Sequence, residues 1–459
     1  MKKLYIKTYG CQMNFYDSEQ ISNLLSSSGY NITENSEDAD LIVLNTCHIR
    51  DKAVEKTFSD LGRIKKSIKL SNNNKLKPIV AVAGCVAQAQ GEEIMKRSPW
   101  VDIVVGPQSY TDLPSLISKV NKVEKKELVN LDFPTIPKFD HLDQNVNEKK
   151  ISSFLTIQEG CDKFCSFCVV PYTRGPEYSR SIESIMMEVK KLIKRGTREI
   201  ILLGQNVNAW TSKGNQKFSL TLGNLIDEIS KYDEILSIRY TTSHPLDMDL
   251  KLIETHQKNK KLMPYLHLPI QSGSNNILSK MNRKHTVEDY LKIIEKVKEY
   301  RPDIAISSDF IVGFPGETDQ DHRKTLELIN EVKFASSYSF KYSPRPGTPS
   351  ADFEKQVDEK IKNSRLQELQ GKLKKHQLVF NQKSVNSKMN ILILYKNKKN
   401  QYIGKSPYNQ TVIIDEKLES NQIFLNRCKK VVGQIIDVRI TNSFQNSLEG
   451  EFSIESLGY

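Results

Sequence analysis

Between residues 151 and 380, short apolar runs alternate six times with longer amphipathic stretches, and this rhythm constrains the fold more than any other feature of the sequence. The intervening stretches have the spacing of helices, as at Ser184–Lys194 and Leu222–Ser230. Repeated βα units of this kind predict a partial (β/α)6 barrel, whose functional side chains lie at the carboxyl ends of the strands. The six predicted strands are Phe154–Gln158, Glu199–Leu203, Ser237–Thr241, Tyr265–Pro269, Ile304–Val312 and Ser336–Tyr342.

Residues 1–118 repeat this pattern on a smaller scale. Four short apolar runs, with helix-like stretches between them, predict buried parallel strands in an N-terminal α/β domain. The runs are Leu4–Tyr9, Leu41–Leu44, Ile79–Ala83 and Val101–Val105. Residues 119–146 interrupt the pattern with a charged run and with Pro134 and Pro137, and they predict a linker before a core at residues 147–380.

The segment 381–450 has the pattern of a small all-β domain. Short apolar runs at Ile391–Tyr395, Thr411–Ile414 and Val431–Ile440 are separated by polar turns. From Gly371 onward the chain has 14 lysines and arginines against 7 acidic residues, so this region carries about half of the net charge of +12. A basic excess confined to one region favours an anionic partner, such as a nucleic acid, over a general bias of composition.

Length and composition exclude several classes of protein. A chain of 459 residues has room for roughly two to four domains. It contains no run of about 18 apolar residues, which excludes a transmembrane helix, and Met1–Lys7 is not followed by the apolar stretch of a signal peptide. We therefore expect a cytoplasmic protein. The 7 cysteines are odd in number and widely spread, so they do not predict a disulfide framework and are available as metal ligands.

Three cysteines within a single short segment form the strongest local motif. Cys161, Cys165 and Cys168 have the spacing CxxxCxxC directly after the first predicted barrel strand. Thiolates at this density select an iron–sulfur cluster or zinc. Zinc normally takes a fourth ligand close by, and His141 and His244 are distant in the sequence, so we favour a cubane cluster with one iron left open. The alternative is three buried, inert cysteines.

At this motif the sequence resembles the radical S-adenosylmethionine (SAM) superfamily. The resemblance implies that the open iron binds the amino and carboxylate groups of SAM, whose reductive cleavage yields a 5′-deoxyadenosyl radical. It also implies cofactor contacts at Gly204 and Gln205, after the second barrel strand, where the methionine amino group is held. Gly313 and Gly316 follow the fifth strand, where a glycine-rich turn lets the backbone approach the adenine.

The cysteines Cys11, Cys47 and Cys85 are far apart in the sequence, but each directly follows a predicted strand of the N-terminal domain. The carboxyl ends of parallel strands face one crevice, where ligands normally bind. We therefore expect the three thiols to converge and to hold a second cluster, again with one iron unclaimed. Cys428 has no such partners and is expected to be structural.

Two three-cysteine sites and a β-rich C-terminal domain make the chain similar, nearly end to end, to the methylthiotransferase family of this superfamily. The stretch Thr241–Pro245 is typical of the members that act on tRNA. The resemblance implies that the last domain is a TRAM domain that binds RNA, with Lys405 as a candidate contact. The motifs that carry the likeness are Thr8–Asn14, Asn45–Arg50, Cys168–Gly175, Thr241–Pro245, His267–Ser274 and Ser343–Pro349.

The family resemblance also implies a mechanism that uses two molecules of SAM per turnover and two [4Fe–4S] clusters. One SAM methylates a sulfur attached to the N-terminal cluster. The second is cleaved at the CxxxCxxC cluster, and its radical removes hydrogen from C2 of an adenine, to which the methylthio group then moves. The implied substrate is N6-isopentenyladenosine at position 37 of tRNA, near the anticodon. The implied partners are tRNA, a low-potential electron donor and a sulfur source, and we expect a monomer without membrane association.

Other functions stay open at this point. Within the family, the substrate could instead be an aspartate of a ribosomal protein or a differently modified tRNA adenosine. A protein of another class, a non-catalytic iron–sulfur protein that binds RNA, is disfavoured by the intact CxxxCxxC motif and by the glycine-rich turn.

Several single residues also have two interpretations. Arg174 could reach the cofactor or RNA, or it could form an ordinary structural salt bridge. Tyr172, Trp210 and Phe314 could stack on a base, although aromatic residues at strand ends more often belong to the core. His244 is expected to be a satisfied loop histidine without a catalytic role.

Overall fold

The computed structural model describes residues 1–48, 51–70, 77–120, 128–133, 149–213, 219–415 and 431–452. The chain divides into two compact units. The first comprises Met1–Asn147 together with the short segments Glu159–Asp162 and Cys168–Glu177. The second comprises Glu148–Gln158, Lys163–Phe167 and Tyr178–Tyr459, so the barrel core and the basic C-terminal segment belong to one unit.

The described part of the first unit contains a parallel sheet of six strands, in the order β2-β1-β3-β4-β5-β6. The strands are β1 (Lys2–Thr8), β2 (Tyr30–Ile32), β3 (Leu41–Thr46), β4 (Ile79–Gly84), β5 (Ile103–Val105) and β6 (Leu128–Asn130). The helices are α1 (Gln12–Ser26), α2 (Asp51–Leu70), α3 (Cys85–Arg97) and α4 (Leu113–Val120). Because β2 and β3 lie on opposite sides of β1, the sheet has a topological switch point between β1 and β3.

The central strands of this sheet are apolar at consecutive positions because both of their faces are covered. In β3, Ile42 and Leu44 belong to one hydrophobic cluster, whereas Leu41 and Val43 belong to another. Alternate side chains of a strand point to opposite faces, so each cluster fills the space on one side of the sheet. The four predicted strands are thus present, and the short edge strands β2 and β6 are additional. β6 lies inside the segment that we expected to be a linker, whereas Pro134 and Pro137 lie outside the described residues.

The core of the second unit contains six parallel strands among its described residues, arranged as two runs of three, β7-β10-β13 and β14-β15-β16. A parallel bridge between Ile238 and Leu262 lies between the two runs. Their positions agree with the six strands predicted from the sequence. The strands of this region are β7 (Ser152–Thr156), β8 (Gln158–Glu159), β9 (Tyr178–Ser179), β10 (Glu199–Leu203), β11 (Thr211–Lys213), β12 (Ser219–Thr221), β13 (Ser237–Thr241), β14 (Tyr265–His267), β15 (Ala305–Val312) and β16 (Ser336–Lys341).

Helices follow the strands of the core and cover them. Short sequence motifs fix where two of these helices begin. Thr286 and Asp289 form a reciprocal capping box at the first turn of one helix, and Thr318 and Asp321 form another at the first turn of the next. Among the described residues, no helix is both long enough and apolar enough to cross a membrane. The helices of the core are α6 (Ile182–Lys194), α7 (Leu222–Ser230), α8 (Leu250–Lys258), α9 (Asn275–Lys280), α10 (Val287–Tyr300), α11 (Asp319–Val332) and α12 (Glu359–Gln382), and the short α5 (Val170–Arg174) belongs to the first unit.

The C-terminal strands form a small closed barrel in the order β17-β18-β19-β21-β20. They are β17 (Lys388–Lys396), β18 (Gln401–Lys405), β19 (Thr411–Asp415), β20 (Ile435–Ser443) and β21 (Ser447–Phe452). Inward-facing side chains such as Ile391, Ile393 and Val438 fill its core. The predicted fold class is confirmed: an N-terminal parallel α/β sheet, a partial (β/α)6 barrel and a C-terminal all-β domain.

A buried arginine ties this small barrel to the core. Arg239 of β13 donates from Nε to the carboxylate of Glu199 at 2.8 Å. Its two terminal nitrogens donate to the backbone carbonyls of Ser406 and Pro407 at 2.7 and 2.9 Å. Because Glu199 is the first residue of β10, the small barrel packs near the amino ends of the core strands, away from the loops that follow them.

A buried histidine in this core predicts that the fold is sensitive to acid. His256 of α8 is fully buried, and its Nε2 lies 2.7 Å from the hydroxyl of Tyr240. Burial lowers the pKa of His256 to about 3. Between about pH 3 and the unfolded value near 6.5, the unfolded chain binds more protons, so the free energy of unfolding falls as the pH is lowered, by about 1.4 kcal/mol per pH unit from this residue.

We therefore expect that His256→Gln, which retains an acceptor for Tyr240 but cannot be protonated, will reduce the loss of stability on acidification. The measurement is urea unfolding of the wild type and the variant at about pH 7.5 and about pH 5. The loss between these two conditions should be smaller in the variant by about 2 kcal/mol. An equal loss in both proteins would show that His256 is not the source.

Candidate active site

The N-terminal cysteines stand at the carboxyl ends of three adjacent strands. Cys11 caps the amino end of α1 after β1, Cys47 directly follows β3, and Cys85 is the first residue of α3 after β4. This is the switch-point side of the sheet, where open parallel sheets bind ligands. The amino end of α1 also favours negative charge on Cys11, whereas burial raises the pKa of the Cys85 thiol.

The structure brings these thiols close to one another. A side-chain hydrogen bond joins Cys11 and Cys47, and it lowers the pKa of the Cys11 thiol to about 6 although burial acts in the other direction. Cys85 is close enough to Cys11 for their charges to interact. Glycines make the approach possible: Gly10 and Gly84 have φ values of +97° and +93°, and a Cβ at Gly10 would collide with Cys47.

The amide of Asn14 fixes the geometry between these strand ends. Its Nδ2 donates to the carbonyls of Tyr9 and Thr46 at 2.9 and 2.8 Å, so it bridges the chain after β1 and the end of β3. Its Oδ1 lies 3.7 Å from the sulfur of Cys11 and accepts a hydrogen bond from Arg174 at 3.0 Å. Asn14 therefore sets the position of a thiol and of a cation at the same time.

Arg174 forms buried ion pairs within the first unit. Its Nη2 lies 2.7 Å from Asp17, its Nη1 lies 3.1 Å from Glu159, and the three side chains are each no more than 3% exposed. Of the two interpretations open from the sequence, the ion pair is the one observed. The sequence pattern did not indicate its partners, because Asp17 is 157 residues away.

The CxxxCxxC segment is a loop between β8 and α5. Cys161 and Cys168 belong to the first compact unit and Cys165 to the second. Phe164 has a φ of +49°, an uncommon conformation for a residue other than glycine, and its carbonyl accepts from Asn282 at 2.8 Å. Cys165 is buried, and its sulfur accepts from Nη1 of Arg283 at 3.5 Å.

The predicted SAM-binding glycines occupy the strand ends as expected, but their surroundings differ. Gly204 follows β10, and a Cβ there would lie 2.7 Å from Oε1 of Gln158. Gln205 comes next and is half-buried. At the turn after β15, Gly313 and Gly316 have φ values of +71° and +75°.

Side chains that the sequence did not single out hold this turn. The carboxylate of Glu317 accepts from the amide of Gly313 at 2.6 Å and from Arg365 of α12 at 2.8 Å. The space that a Cβ at Gly313 would occupy is filled by Lys362, so one reason for glycine here is the close packing of α12. Contact with the adenine remains a prediction.

Polar atoms without partners lie near the same strand ends. Asn206 Oδ1, His244 Nε2 and His285 Nε2 are buried and have no hydrogen-bond partner among the described residues. Nδ1 of His244 accepts from the amide of Leu246 at 3.3 Å, which assigns its proton to Nε2. Among the described residues, His244 thus has a hydrogen-bond partner on one ring nitrogen only. Burial, assisted by the charge of Arg283, lowers its pKa to about 2, so the ring is neutral. Unsatisfied buried donors and acceptors at strand ends fit a polar ligand such as SAM.

The thiols fit a cluster better than a single ion. Within the described residues, no three His, Cys, Asp or Glu side chains are arranged to hold one metal ion. In a cubane cluster each thiolate binds a different iron, so the sulfurs need not meet at one point. None of the six cysteines predicted as ligands is in a disulfide bond. Cys428 lies outside the described residues.

The aromatic residues divide between core and surface. Trp210 and Phe314 are fully buried, and the indole of Trp210 donates to the carbonyl of Arg180 at 2.9 Å. Both are therefore core residues. Tyr172 is 48% exposed, and stacking on a base stays a prediction for it.

The basic candidate Lys405 ends β18 and is half-buried. Burial lowers the pKa of its ammonium group, and the nearby carboxylate of Glu199 acts in the opposite direction. Lys396, Lys398 and Lys399, at the turn between β17 and β18, are exposed.

Comparison with known proteins identifies the chain. Models of three families match it: "Uncharacterized protein family UPF0004" at residues 3–106, "Radical SAM superfamily" at residues 155–329 and "TRAM domain" at residues 382–452. The chain is 54% identical over 452 residues to the tRNA-2-methylthio-N(6)-dimethylallyladenosine synthase of Rickettsia rickettsii (strain Sheila Smith), covering 98% of this chain and 99% of the relative. The synthase of Rickettsia prowazekii (strain Madrid E) matches to the same extent.

The chain belongs to the tRNA-2-methylthio-N(6)-dimethylallyladenosine synthase family. It is a radical SAM transferase, and an iron–sulfur cluster and SAM are its cofactors. The resemblance found in the sequence is therefore confirmed at the level of the family.

Solved structures agree on the fold. The radical SAM methyltransferase TsrM from Kitasatospora setae, described with cobalamin and a [4Fe–4S] cluster bound, superposes with a TM-score of 0.55 at 13% identity, over 76% of each chain. The same enzyme with tryptophan and a SAM analogue bound gives a TM-score of 0.56 at 13% identity, over 76% of this chain and 75% of that one. At this identity the likeness concerns the fold alone.

Proposed function

We propose that this chain converts N6-isopentenyladenosine at position 37 of tRNA to 2-methylthio-N6-isopentenyladenosine. The observation that carries the proposal is the match, over nearly the full length of both chains, to synthases named for this nucleoside. The three thiols gathered at the switch point of the N-terminal sheet support it, because they provide a site for sulfur chemistry apart from the CxxxCxxC loop.

The reaction needs a radical because C2 of adenine carries no acidic proton that a general base could remove. In the proposal, Cys161, Cys165 and Cys168 hold the SAM-binding cluster, which supplies the reducing electron and thereby the radical chemistry. Gly204 and Gln205 face the methionine part of SAM, and Gly313 and Gly316 its adenine. The chain's own task at this site is to orient SAM and the target base and to exclude water.

The second part of the proposal assigns Cys11, Cys47 and Cys85 to another [4Fe–4S] cluster, which holds the sulfur to be methylated and transferred. Two molecules of SAM are then used per turnover, one as methyl donor and one as radical source. The pairing of Cys11 with Cys47 supports this assignment, because it lowers the pKa of the Cys11 thiol and so stabilises its thiolate. Burial raises the pKa of the Cys85 thiol, and the charge of Arg174 acts in the opposite direction.

The anticodon loop suits such an enzyme because its unstacked bases can be presented singly to a pocket. We propose that the C-terminal barrel holds the RNA by its phosphates, with Lys405 as one contact and the exposed lysines of the β17–β18 turn as others. The remaining partners in the proposal are a low-potential electron donor and a sulfur source, and the enzyme acts as a monomer in the cytoplasm.

The test is to quantify 2-methylthio-N6-isopentenyladenosine by mass spectrometry in tRNA from cells with and without this protein. We expect the nucleoside to disappear in its absence, its unthiolated precursor to accumulate, and the wild-type chain to restore it. An unchanged nucleoside pattern would contradict the proposed substrate. Examining the ribosomal protein and the other modified adenosines in the same cells would then identify the actual one.

A further inference from the structure

The cation next to the N-terminal thiols has contacts that a simple salt bridge does not require. A guanidinium group has five N–H donors. Arg174 uses donors for Asp17, Glu159 and Asn14, all within the first unit. Its charge also acts on the sulfur of Cys85.

The position of this guanidinium is unusually well determined. The side-chain amide of Gln108 donates to the backbone carbonyl of Arg174 and to the carboxylate of Glu159, both at 2.9 Å. Glu159 and Asp17 hold Nη1 and Nη2 in a buried fork. A buried charge of this kind is kept only where its partners compensate for the lost hydration, and here two carboxylates do so.

The same guanidinium lies close to two of the three thiols. Its charge acts on Cys85, and its Nη2 and the sulfur of Cys11 both lie against Oδ1 of Asn14, at 3.0 and 3.7 Å. A cubane held by three thiolates is anionic, and a buried anion needs a nearby positive charge or hydrogen-bond donors. Hydrogen bonds to cluster sulfurs are also among the main determinants of reduction potential.

We propose that Arg174 is a positioning residue for the N-terminal cluster: its guanidinium, held by Asp17 and Glu159, lies beside the thiolates and supplies the positive charge that retains the cluster and raises its reduction potential. This inference rests on the proposed second cluster. It assigns to Asp17, Glu159 and Asn14 the role of orienting Arg174 beside the thiolates.

The experiment uses the full chain with Cys161, Cys165 and Cys168 replaced by Ala, so that only the N-terminal thiols can hold iron. In this parent, Arg174→Gln is expected to lower the affinity for iron about 10–100-fold, measured by chelator competition. It should also shift the reduction potential, measured by titration of the cluster's electron paramagnetic resonance signal, to a more negative value, because the reduced cluster loses a stabilising charge.

A neutral set of variants separates this role from folding, because Arg174→Gln alone leaves two buried carboxylates unpaired. Asp17→Asn with Glu159→Gln keeps the guanidinium and leaves it amide oxygens as acceptors, and adding Arg174→Gln to that pair removes it without leaving a charge unpaired. The triple variant should show the negative shift relative to the double variant. Arg180→Gln with Glu188→Gln removes an equally buried pair whose bonds go to Thr156 and Ser184, and it should leave the potential unchanged.

Equal potentials in the double and triple variants would overturn the role of Arg174 while leaving the second cluster intact. A parent that binds no cluster, with Arg174 present, would overturn the second cluster and this inference together. Whether the parent protein binds a cluster therefore distinguishes the two failures.

Discussion

Replacing Cys165 by Ala is expected to abolish reductive cleavage of SAM completely. Cys165 is the middle ligand of the CxxxCxxC loop, and a cubane that loses one of three thiolates loses both its attachment and the geometry that leaves one iron open to SAM. The side chain is only 9% exposed, so another thiol or water cannot easily take its place. The assay is the yield of 5′-deoxyadenosine from the reconstituted enzyme and a chemical reductant.

Hydrogen bonds of the neighbouring residue also hold the loop around Cys165, so a variant that removes one of them can serve as a matched control. The hydroxyl of Ser166 donates to the carbonyl of Lys280 at 2.8 Å, and its backbone amide donates to Met281 at 3.0 Å. Ser166→Ala removes the first of these bonds and no sulfur, so this variant should retain cleavage. Undiminished 5′-deoxyadenosine from Cys165→Ala would rule out the assignment of the motif.

Replacing Cys47 by Ala should separate the two halves of the reaction. This variant is expected to cleave SAM at close to the wild-type rate but to form no methylthio product, because the proposed sulfur-carrying cluster would lose a ligand while the CxxxCxxC loop is unchanged. Cys47 is 1% exposed and lies in the hydrophobic cluster on one face of the N-terminal sheet. Ala differs from Cys only by the missing sulfur atom, so the sheet should remain folded. The free energy of unfolding should fall by about 1 kcal/mol.

Measuring both products in one reaction makes the comparison internal. 5′-Deoxyadenosine reports cleavage, and the methylthiolated nucleoside in a tRNA substrate reports transfer. Cys47→Ser, which keeps a polar group but offers a harder oxygen ligand, should behave like the alanine variant. Normal methylthiolation by either variant would refute the second cluster. Loss of both products would mean instead that the N-terminal thiols are needed for cleavage itself.

Most of the architecture could be predicted because strands and helices follow from the spacing of apolar residues along short stretches of the chain. The apolar runs of β3 and β4 are continuous because both faces of the sheet are covered, and the strands of the core alternate with amphipathic helices. Edge strands were harder: the three-residue strands β2 and β6 are too short and too exposed to have a hydrophobic pattern of their own. The strands β18 and β21 were missed because glycines, Gly404 and Gly450, interrupt their apolar runs.

The candidate site, like the fold, could be predicted only in part. The positions of the six cysteines follow from the rule that ligands gather at the carboxyl ends of parallel strands. The groups around them do not follow from any such rule. Arg283 is 118 residues from Cys165, and Lys362 and Arg365 reach the glycine-rich turn from α12. A charged residue on a helix or loop gives no local sign of which distant group it will meet.

The order of the strands and helices, the placement of the six thiols at strand ends and the family could all be inferred from the amino-acid sequence, because periodicity and motif spacing are properties of neighbouring residues. The fold was needed to show that Arg174 is a buried partner of Asp17 and Glu159 rather than a surface contact, and that Lys405 lies near Glu199. These outcomes depend on which segments pack together, and the free energy of burying a charge is settled by all the groups that surround it in the folded chain.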